Sequence, residues 1–156
     1  MAAWIILYGI IQAYSPKLFL KEDNRKINLV DISKNWVLYL LINLILLTFL
    51  LFFFSEIFLT TIFLFSGLFI FCGIFAVNSS IHSYLILHFS KMNRVSLDVG
   101  FYYMANATGR FFGTLLSGLS YQFGGLTLSL ALSTIMIAFC LYLTSFLQES
   151  HNEQKI

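Results

Sequence analysis

The chain has 156 residues, of which 59% are hydrophobic and 10% charged, with one proline and a net charge of +2. A soluble domain carries about 25% charged residues, so most of this surface cannot face water. The small net charge gives no support for a nucleic-acid partner. The apolar residues form unbroken blocks of membrane-spanning length, without the alternating polarity of barrel strands. They predict an all-α membrane protein whose first partner is the lipid bilayer.

The first apolar block, residues 2–14, is too short to cross a bilayer. About 13 residues of helix cover ~20 Å, whereas the hydrocarbon core is ~30 Å thick. No Lys or Arg precedes the block and Pro16-Lys17 follows it, which is unlike a signal peptide. We interpret it as a partial helix whose beginning is missing. A polar loop at residues 15–35 follows.

Four full transmembrane helices are predicted after this loop. The third is turned into the fourth by Gly124-Gly125, whereas Ser55-Glu56 separates the first two. The second is longer than one span requires, which predicts tilting or a bend at Gly67 or Gly73. The fourth has few polar residues and is expected at the periphery. The predicted helices span residues 36–54, 57–89, 97–123 and 126–147, and a polar tail occupies residues 148–156.

The Lys and Arg residues fall in alternate connections, which predicts the orientation. The loop before Trp36 has five, the segment around Lys91 has two and the tail has one, whereas the turns at 55–56 and 121–125 have none. The positive-inside rule places such charged connections in the cytoplasm. The sequence therefore predicts a multi-pass protein of the cell (inner) membrane with a cytoplasmic C-terminus.

Arg110 lies about 13 residues into the third span, near the bilayer centre, where arginine costs ~2.5 to 3.5 kcal/mol to insert. Two interpretations stay open: backbone carbonyls or a helix C-terminus satisfy it, or it contacts an anion in a translocation pathway. No carboxylate of this chain is expected at its depth. A helical wheel places one polar face around it, made of Tyr102, Asn106, Gly109, Arg110, Gly113 and Ser117.

Gly109, Gly113 and Ser117 repeat every four residues, a spacing that lets helix backbones approach closely. This face is predicted either to pack on another helix or to line a cavity. In the second span, Asn78 and His82 lie close together on the wheel and at the depth of Asn106 and Tyr102. The two polar faces are expected to meet.

His82 is compatible with a proton relay, because an unperturbed imidazole titrates near pH 6.5, or with a simply hydrated side chain. Asp98 is most simply a favourable charge at a helix N-terminus. Cys72 and Cys140 lie inside apolar blocks as small hydrophobes. No paired carboxylates, metal-spaced cluster or nucleophile-base arrangement is present, so neither an enzyme nor a metal or cofactor site is expected.

Three segments stand out between Phe75 and Gly125: NSSIHSYLIL at 78–87, DVGFYYMANATGR at 98–110 and GTLLSG at 113–118. Through them, most of this region resembles the ArsJ-type organoarsenical efflux permeases of the major facilitator superfamily. Residues 8–13 are compatible with the same family.

The resemblance implies that the chain is the C-terminal part of a twelve-helix transporter, corresponding to the end of helix 8 and helices 9 to 12. It implies export of an anionic organoarsenical, 1-arseno-3-phosphoglycerate, and a missing N-terminal half as partner. An intramembrane guanidinium suits such a cargo. The residues expected to bind substrate are Arg110, Asn106, Tyr102, Asn78 and His82. The alternative is a small self-standing membrane protein that oligomerises or assists another membrane protein.

Overall fold

A computed structural model of the chain describes residues 2–20, 29–53, 57–90 and 93–153, with side chains placed for residues 5–15, 30–53, 58–87, 90 and 93–146. These residues are helical almost throughout, and no strand occurs among them. The protein is therefore all-α over the described part. The four helices are α1 (Ala2–Leu20), α2 (Leu29–Phe53), α3 (Ile57–Phe89) and α4 (Val95–Glu153).

Three of these helices are long and apolar enough to cross a membrane: α2, α3 and α4. The apolar part of α1, Ile5–Ser15, falls short of a full span. Helices suit this role because each satisfies its own backbone hydrogen bonds without water. The structure thus agrees with a membrane-embedded helical protein.

α2 packs on both α3 and α4, and α3 packs in addition on α1. One row of α2 side chains is almost completely buried, and the row advances by three and four residues in turn. This 3.5-residue period is that of left-handed helix crossing, in which side chains of one helix fit between those of its neighbour. The row, which we call the α2 seam, consists of Val30, Ser33, Val37, Leu40, Leu44 and Leu47.

α3 receives the far end of this seam at a glycine. Gly67 is buried, and a Cβ atom built on it would stand 3.0 Å from Cγ of Leu47 and closer still to Cδ2. Only the missing side chain leaves room for Leu47. Gly73 lies beside α1, with its Cβ position 3.7 Å from Cδ1 of Ile11. Of the two glycines proposed as bend points, Gly67 therefore serves close packing, Gly73 has room for a methyl group, and α3 is helical through both.

α1 packs on α3 and on no other helix of the described part. Pro16 lies inside α1, and its lack of an N–H removes the hydrogen bond that the carbonyl of Gln12 would otherwise accept. The Ser80 hydroxyl of α3 lies 3.2 Å from this carbonyl and also 3.2 Å from the Ala76 carbonyl of its own helix, so its one hydrogen is shared between the two acceptors. In lipid an unsatisfied carbonyl is costly, so this shared bond partly compensates α1 for its proline and joins α1 to α3.

α4 is two helical segments separated by Gly124 and Gly125. Gly125 has φ 63° and ψ −156°, a backbone conformation essentially restricted to glycine. We call the segments α4a (residues 95–123) and α4b (residues 126–153). The chain folds back at the break, because the hydroxyl oxygens of Ser117 and Ser129 approach to 3.2 Å. Twelve residues of continuous helix would separate them by ~18 Å.

Several helix ends differ from those predicted. α1 continues to Leu20, α2 begins at Leu29, and α4b continues to Glu153, so parts of the predicted loop 15–35 and tail 148–156 are helical. Hydropathy marks where a helix leaves lipid, and a helix does not have to end there. The turn at 55–56, loop residues 21–28, residues 91–92 and residues 154–156 lie outside the described part.

The fourth predicted span does not lie at the edge of this chain. α4b carries the contact with α2, since the hydroxyls of Thr48 and Thr134 stand 3.4 Å apart and residues 129–134 are half-buried. The exposed segment is α4a, in which every residue from 107 to 119 is exposed. Hydropathy predicted that α4b is the more peripheral of the two segments, because hydropathy carries no information on which helix has a neighbour.

Candidate functional site

The polar residues of α4a lie along one row of the helix, at i, i+4 and i+8. Tyr102 and Asn106 are half-buried and Arg110 is exposed. The row begins one turn beyond Asp98, in the first helical turn, and reaches the middle of the apolar segment at Arg110. A phenol, an amide and a guanidinium thus follow one another at ~6 Å intervals of helix rise.

Arg110 has no hydrogen bond or ion pair among the described residues. The hydroxyl groups nearest in sequence are used by the helix itself: Thr108 donates to the carbonyl of Met104 at 2.8 Å and Thr114 to that of Phe111 at 2.9 Å. Phe111 and Phe112 pack edge to face beside Arg110 and remain exposed. A cation at this position leaves its donors open to a group outside the described chain.

The small-residue face of α4a is open as well. Cβ atoms built on Gly109 and Gly113 meet nothing within 4 Å, so no described helix covers them. Ser117, the third member of the repeat, contacts Ser129 across the hairpin. The predicted helix-packing role of the two glycines is therefore not exercised inside this chain. The face is smooth, and another helix backbone can approach it closely.

His82 of α3 is directed at α2. Its Nε2 atom lies 3.3 Å from the hydroxyl oxygen of Ser33, a member of the α2 seam that is 1% exposed. Which of the two atoms donates depends on the imidazole tautomer. The bond links positions 49 residues apart in the chain and ties the start of α2 to the last third of α3.

Asn78 lies one helical turn before His82 on the same face of α3. It is buried, and its side-chain oxygen has no hydrogen-bond partner. A buried amide oxygen without a partner costs about 1 to 3 kcal/mol, so this position is a site of unused acceptor capacity. Nothing in the sequence marked the amide as unpaired, because hydrophobic periodicity carries no information on side-chain partners.

The structure does not bond the two predicted polar faces to each other. His82 is paired with Ser33 of α2, and the Asn78 oxygen is unpaired, so neither contacts Asn106 by a hydrogen bond in the described part. α2 lies against both α3 and α4, and this packing separates the roles of the two faces. Counting residues predicted that the two faces lie at the same depth in the membrane, but residues at the same depth need not be in contact.

Asp98 joins the end of α3 to the start of α4. The Ser90 hydroxyl donates to its Oδ2 atom at 2.6 Å, and the backbone N–H groups of Leu97 and Asp98 both bond the carbonyl of Arg94. A carboxylate in the first turn is stabilised by the positive end of the helix dipole. Asp98 therefore has a structural partner and stands apart from Arg110.

Groups of three or more His, Cys, Asp and Glu side chains that could hold a metal are absent from the described residues. Cys72 is buried and Cys140 is exposed, and neither forms a disulfide. A comparison of the chain with known protein families, curated proteins and solved structures finds no match.

Proposed function

We propose that the chain is the C-terminal part of a major facilitator permease of the ArsJ type, which exports the anionic organoarsenical 1-arseno-3-phosphoglycerate. The observation that carries the proposal is Arg110, which stands in the middle of an apolar helix with no partner among the described residues. Such an arginine is expensive in lipid, so a group outside the described residues must offset its cost. An anionic cargo supplies that group.

The substrate contacts are assigned to the row Tyr102, Asn106 and Arg110 on α4a. The guanidinium binds phosphate or carboxylate oxygens through two parallel N–H bonds, which fixes both charge and orientation. Asn106 offers an amide and Tyr102 a phenol on the same row, and both can donate to further oxygens. Asn78 and His82, which were predicted to share this site, face the bundle and are given a separate role below.

The proposal also accounts for the open face of α4a. Transporters of this superfamily bind substrate between two halves, so the face that lines the path is covered by the other half and by substrate. The missing half is thereby the expected partner of the chain. The charged connections favour an orientation in which the loop before Trp36 and the C-terminus lie in the cytoplasm, and the proposal puts the protein in the inner membrane.

Substitution of Arg110 in the completed protein, with its missing helices restored, tests the assignment. Arg110→Gln is expected to abolish organoarsenical efflux while membrane abundance stays near that of the parent, because removing a central charge does not hinder insertion. Arg110→Lys keeps the charge but loses the planar fork, so efflux falls only in part. Export from loaded cells and protein level are measured side by side.

Arg94→Gln is the matched control, since it removes one positive charge from the exposed turn before α4 and leaves the membrane segment unchanged. It should export normally. A normally abundant Arg110→Gln protein that still exports would eliminate the substrate role. Loss of abundance together with export would show instead that Arg110 pairs a buried carboxylate, because stranding that charge costs ~3 to 5 kcal/mol.

The open glycine face favours one second candidate. A small self-standing protein could oligomerise by bringing two α4a helices together over Gly109 and Gly113, where nothing within the described chain stands in the way. This arrangement brings two Arg110 side chains into one interface, which like-charge repulsion opposes. The electrostatic cost makes the permease the better-supported proposal.

A further inference from the structure

Polar side chains gather where α3 passes between α1 and α2. In the span 78–82, α3 bonds α1 through Ser80 and α2 through His82. The same span holds the unpaired oxygen of Asn78. Two helices thus converge on a short polar stretch of a third.

His82 can be protonated, and the protonated ring has one more N–H donor than the neutral ring. A neutral imidazole has one N–H donor and one acceptor, and an imidazolium has two donors. Ser33 provides one partner at 3.3 Å, and its hydroxyl can accept as readily as donate. A protonated His82 would then need a second acceptor within reach of its other ring nitrogen.

Asn78 offers that acceptor. Its oxygen is buried and unpaired, and residues four apart on a helix are neighbours on its surface. Helical side chains lean towards the N-terminus, so the His82 ring inclines towards the turn that carries Asn78. The imidazolium N–H that lacks an acceptor and the amide oxygen that lacks a donor therefore lie one helical turn apart.

We infer that His82, Ser33 and Asn78 form a proton-binding site at the α2–α3 interface. His82 takes up one proton from water, no covalent bond to carbon changes, and the imidazolium donates one hydrogen bond to the Ser33 hydroxyl and one to the Asn78 oxygen. His82 lies five residues before Leu87, the end of the apolar span. That is ~7.5 Å of helix rise, so the proton arrives from the adjacent membrane surface.

Other titratable groups near the site lie on α1, α2 and α4. On α2, Asp31 and Lys34 flank Ser33 but lie off the buried seam, and both already have interactions of their own. On α1 the titratable group nearest this level is Tyr14, which is exposed and also engaged. On α4 the first turns hold Asp98, bonded to Ser90, and Tyr102. The site stands whether or not the chain is a permease, because it makes no use of Arg110.

The test is a titration of the full chain in lipid nanodiscs by nitrogen NMR of the histidine ring. The chain has three histidines, and His88→Gln with His151→Gln leaves His82 as the only imidazole. Over about pH 4.5 to 8.5 the two ring nitrogens of His82 should convert to the imidazolium pair in one step. Asn78→Leu removes the acceptor, so His82 should bind its proton about tenfold more weakly, with the midpoint about one pH unit lower.

A second substitution keeps the test decisive if Asn78→Leu does not fold. Asn78→Asp places a carboxylate in the same position and should raise proton affinity, moving the midpoint to higher pH. Asn43→Leu is the control, because the Asn43 oxygen is also buried and unpaired but lies ~15 Å along α2 from Ser33. It should leave the titration unchanged. A His82 that stays neutral throughout, or a midpoint unaffected by Asn78→Asp, overturns the proton site.

Discussion

α2 and α4a are both apolar helices of membrane-spanning length, yet they differ in how much of their surface is buried. α2 buries a continuous seam against its neighbours, and from residue 36 onwards its exposed side chains are apolar or aromatic, among them Ile42, Ile45 and Phe49. α4a buries almost nothing, and its exposed surface includes Arg110 and two glycines. Lipid suits the outer surface of α2 and does not suit that of α4a.

The difference separates two meanings of exposure. On α2 an exposed apolar side chain is favourable in contact with lipid, since lipid is as apolar as leucine and no protein partner is required. On α4a an exposed cation marks a position whose contacts are not supplied by the described part of the chain. The contacts of α2 therefore stabilise the fold of the chain, whereas the uncovered surface of α4a is where we expect a binding partner.

The largest expected effect comes from truncating the α2 seam. Leu47→Ala should destabilise the chain by about 1 to 3 kcal/mol, because the side chain is 1% exposed and its removal leaves a cavity. The cost lies at or below that of the same change in water-soluble cores, since lipid removes the hydrophobic part and leaves the packing part. The free energy of unfolding is measured in micelles by titration with SDS, followed by tryptophan fluorescence.

Leu115→Ala on α4a is the matched control, because Leu115 is 46% exposed. Its expected cost is below about 0.5 kcal/mol. Equal costs at the two positions would mean that α4a is packed in the purified chain and would remove the contrast between the helices.

The two glycine positions give the next effect. Gly67→Ala and Gly113→Ala gain the same intrinsic helix stability, so their difference isolates the contacts of the new methyl group. At Gly67 the methyl collides with Leu47, whereas at Gly113 it meets nothing. Gly67→Ala should therefore be the less stable variant by about 1 to 2 kcal/mol. Thermal unfolding of both variants in the same detergent measures the difference.

Gly113→Ala also bears on the second candidate function. If it destabilises the chain as much as Gly67→Ala does, and size measurement shows that an oligomer dissociates, α4a is covered by another copy. A monomer that tolerates the change is what the permease proposal expects.

The smallest effect concerns one hydroxyl on each helix. Thr48 of α2 and Thr134 of α4b each donate to a carbonyl of their own helix, at Leu44 and Leu130, and their hydroxyl oxygens lie 3.4 Å apart. The interhelical hydrogen bond forms only when one hydroxyl leaves its own carbonyl, so Thr48→Val should cost at most about 0.6 kcal/mol, the usual worth of a hydrogen bond between membrane helices. Thr114→Val of α4a loses only a bond within its own helix and should be close to neutral. A double substitution at Thr48 and Thr134 should cost little more than Thr48→Val alone; additive costs would contradict the interhelical bond.

Some features of the candidate site were accessible from the sequence and others were not. The row through Tyr102 and Arg110 follows from helical periodicity alone, and in the structure the row is half-buried at Tyr102 and exposed at Arg110. The pairing of His82 with Ser33 did not follow, because those residues are 49 positions apart and only the packing of α2 on α3 brings them together. The same holds for Ser80 and the carbonyl of Gln12, although Pro16 signalled that this carbonyl would need a partner.

The sequence by itself determined the class of the molecule and the membrane-spanning length of its helices. Apolar composition and block length are properties of each segment alone, and a bilayer leaves a helix as the form that satisfies the backbone of such segments. The break at Gly125 belongs here too, since its left-handed backbone is open to glycine and to few other residues.

Only the tertiary structure decided which helices are neighbours. Hydropathy is nearly uniform along these segments, so it cannot rank one apolar face above another, and lipid does not penalise a wrong choice as water would. Steric fit decides instead: Leu47 packs on α3 at Gly67, where a side chain would collide with it. The packing of α2 on α3 brings His82 to Ser33, and Arg110 lies on a surface that the described chain does not cover.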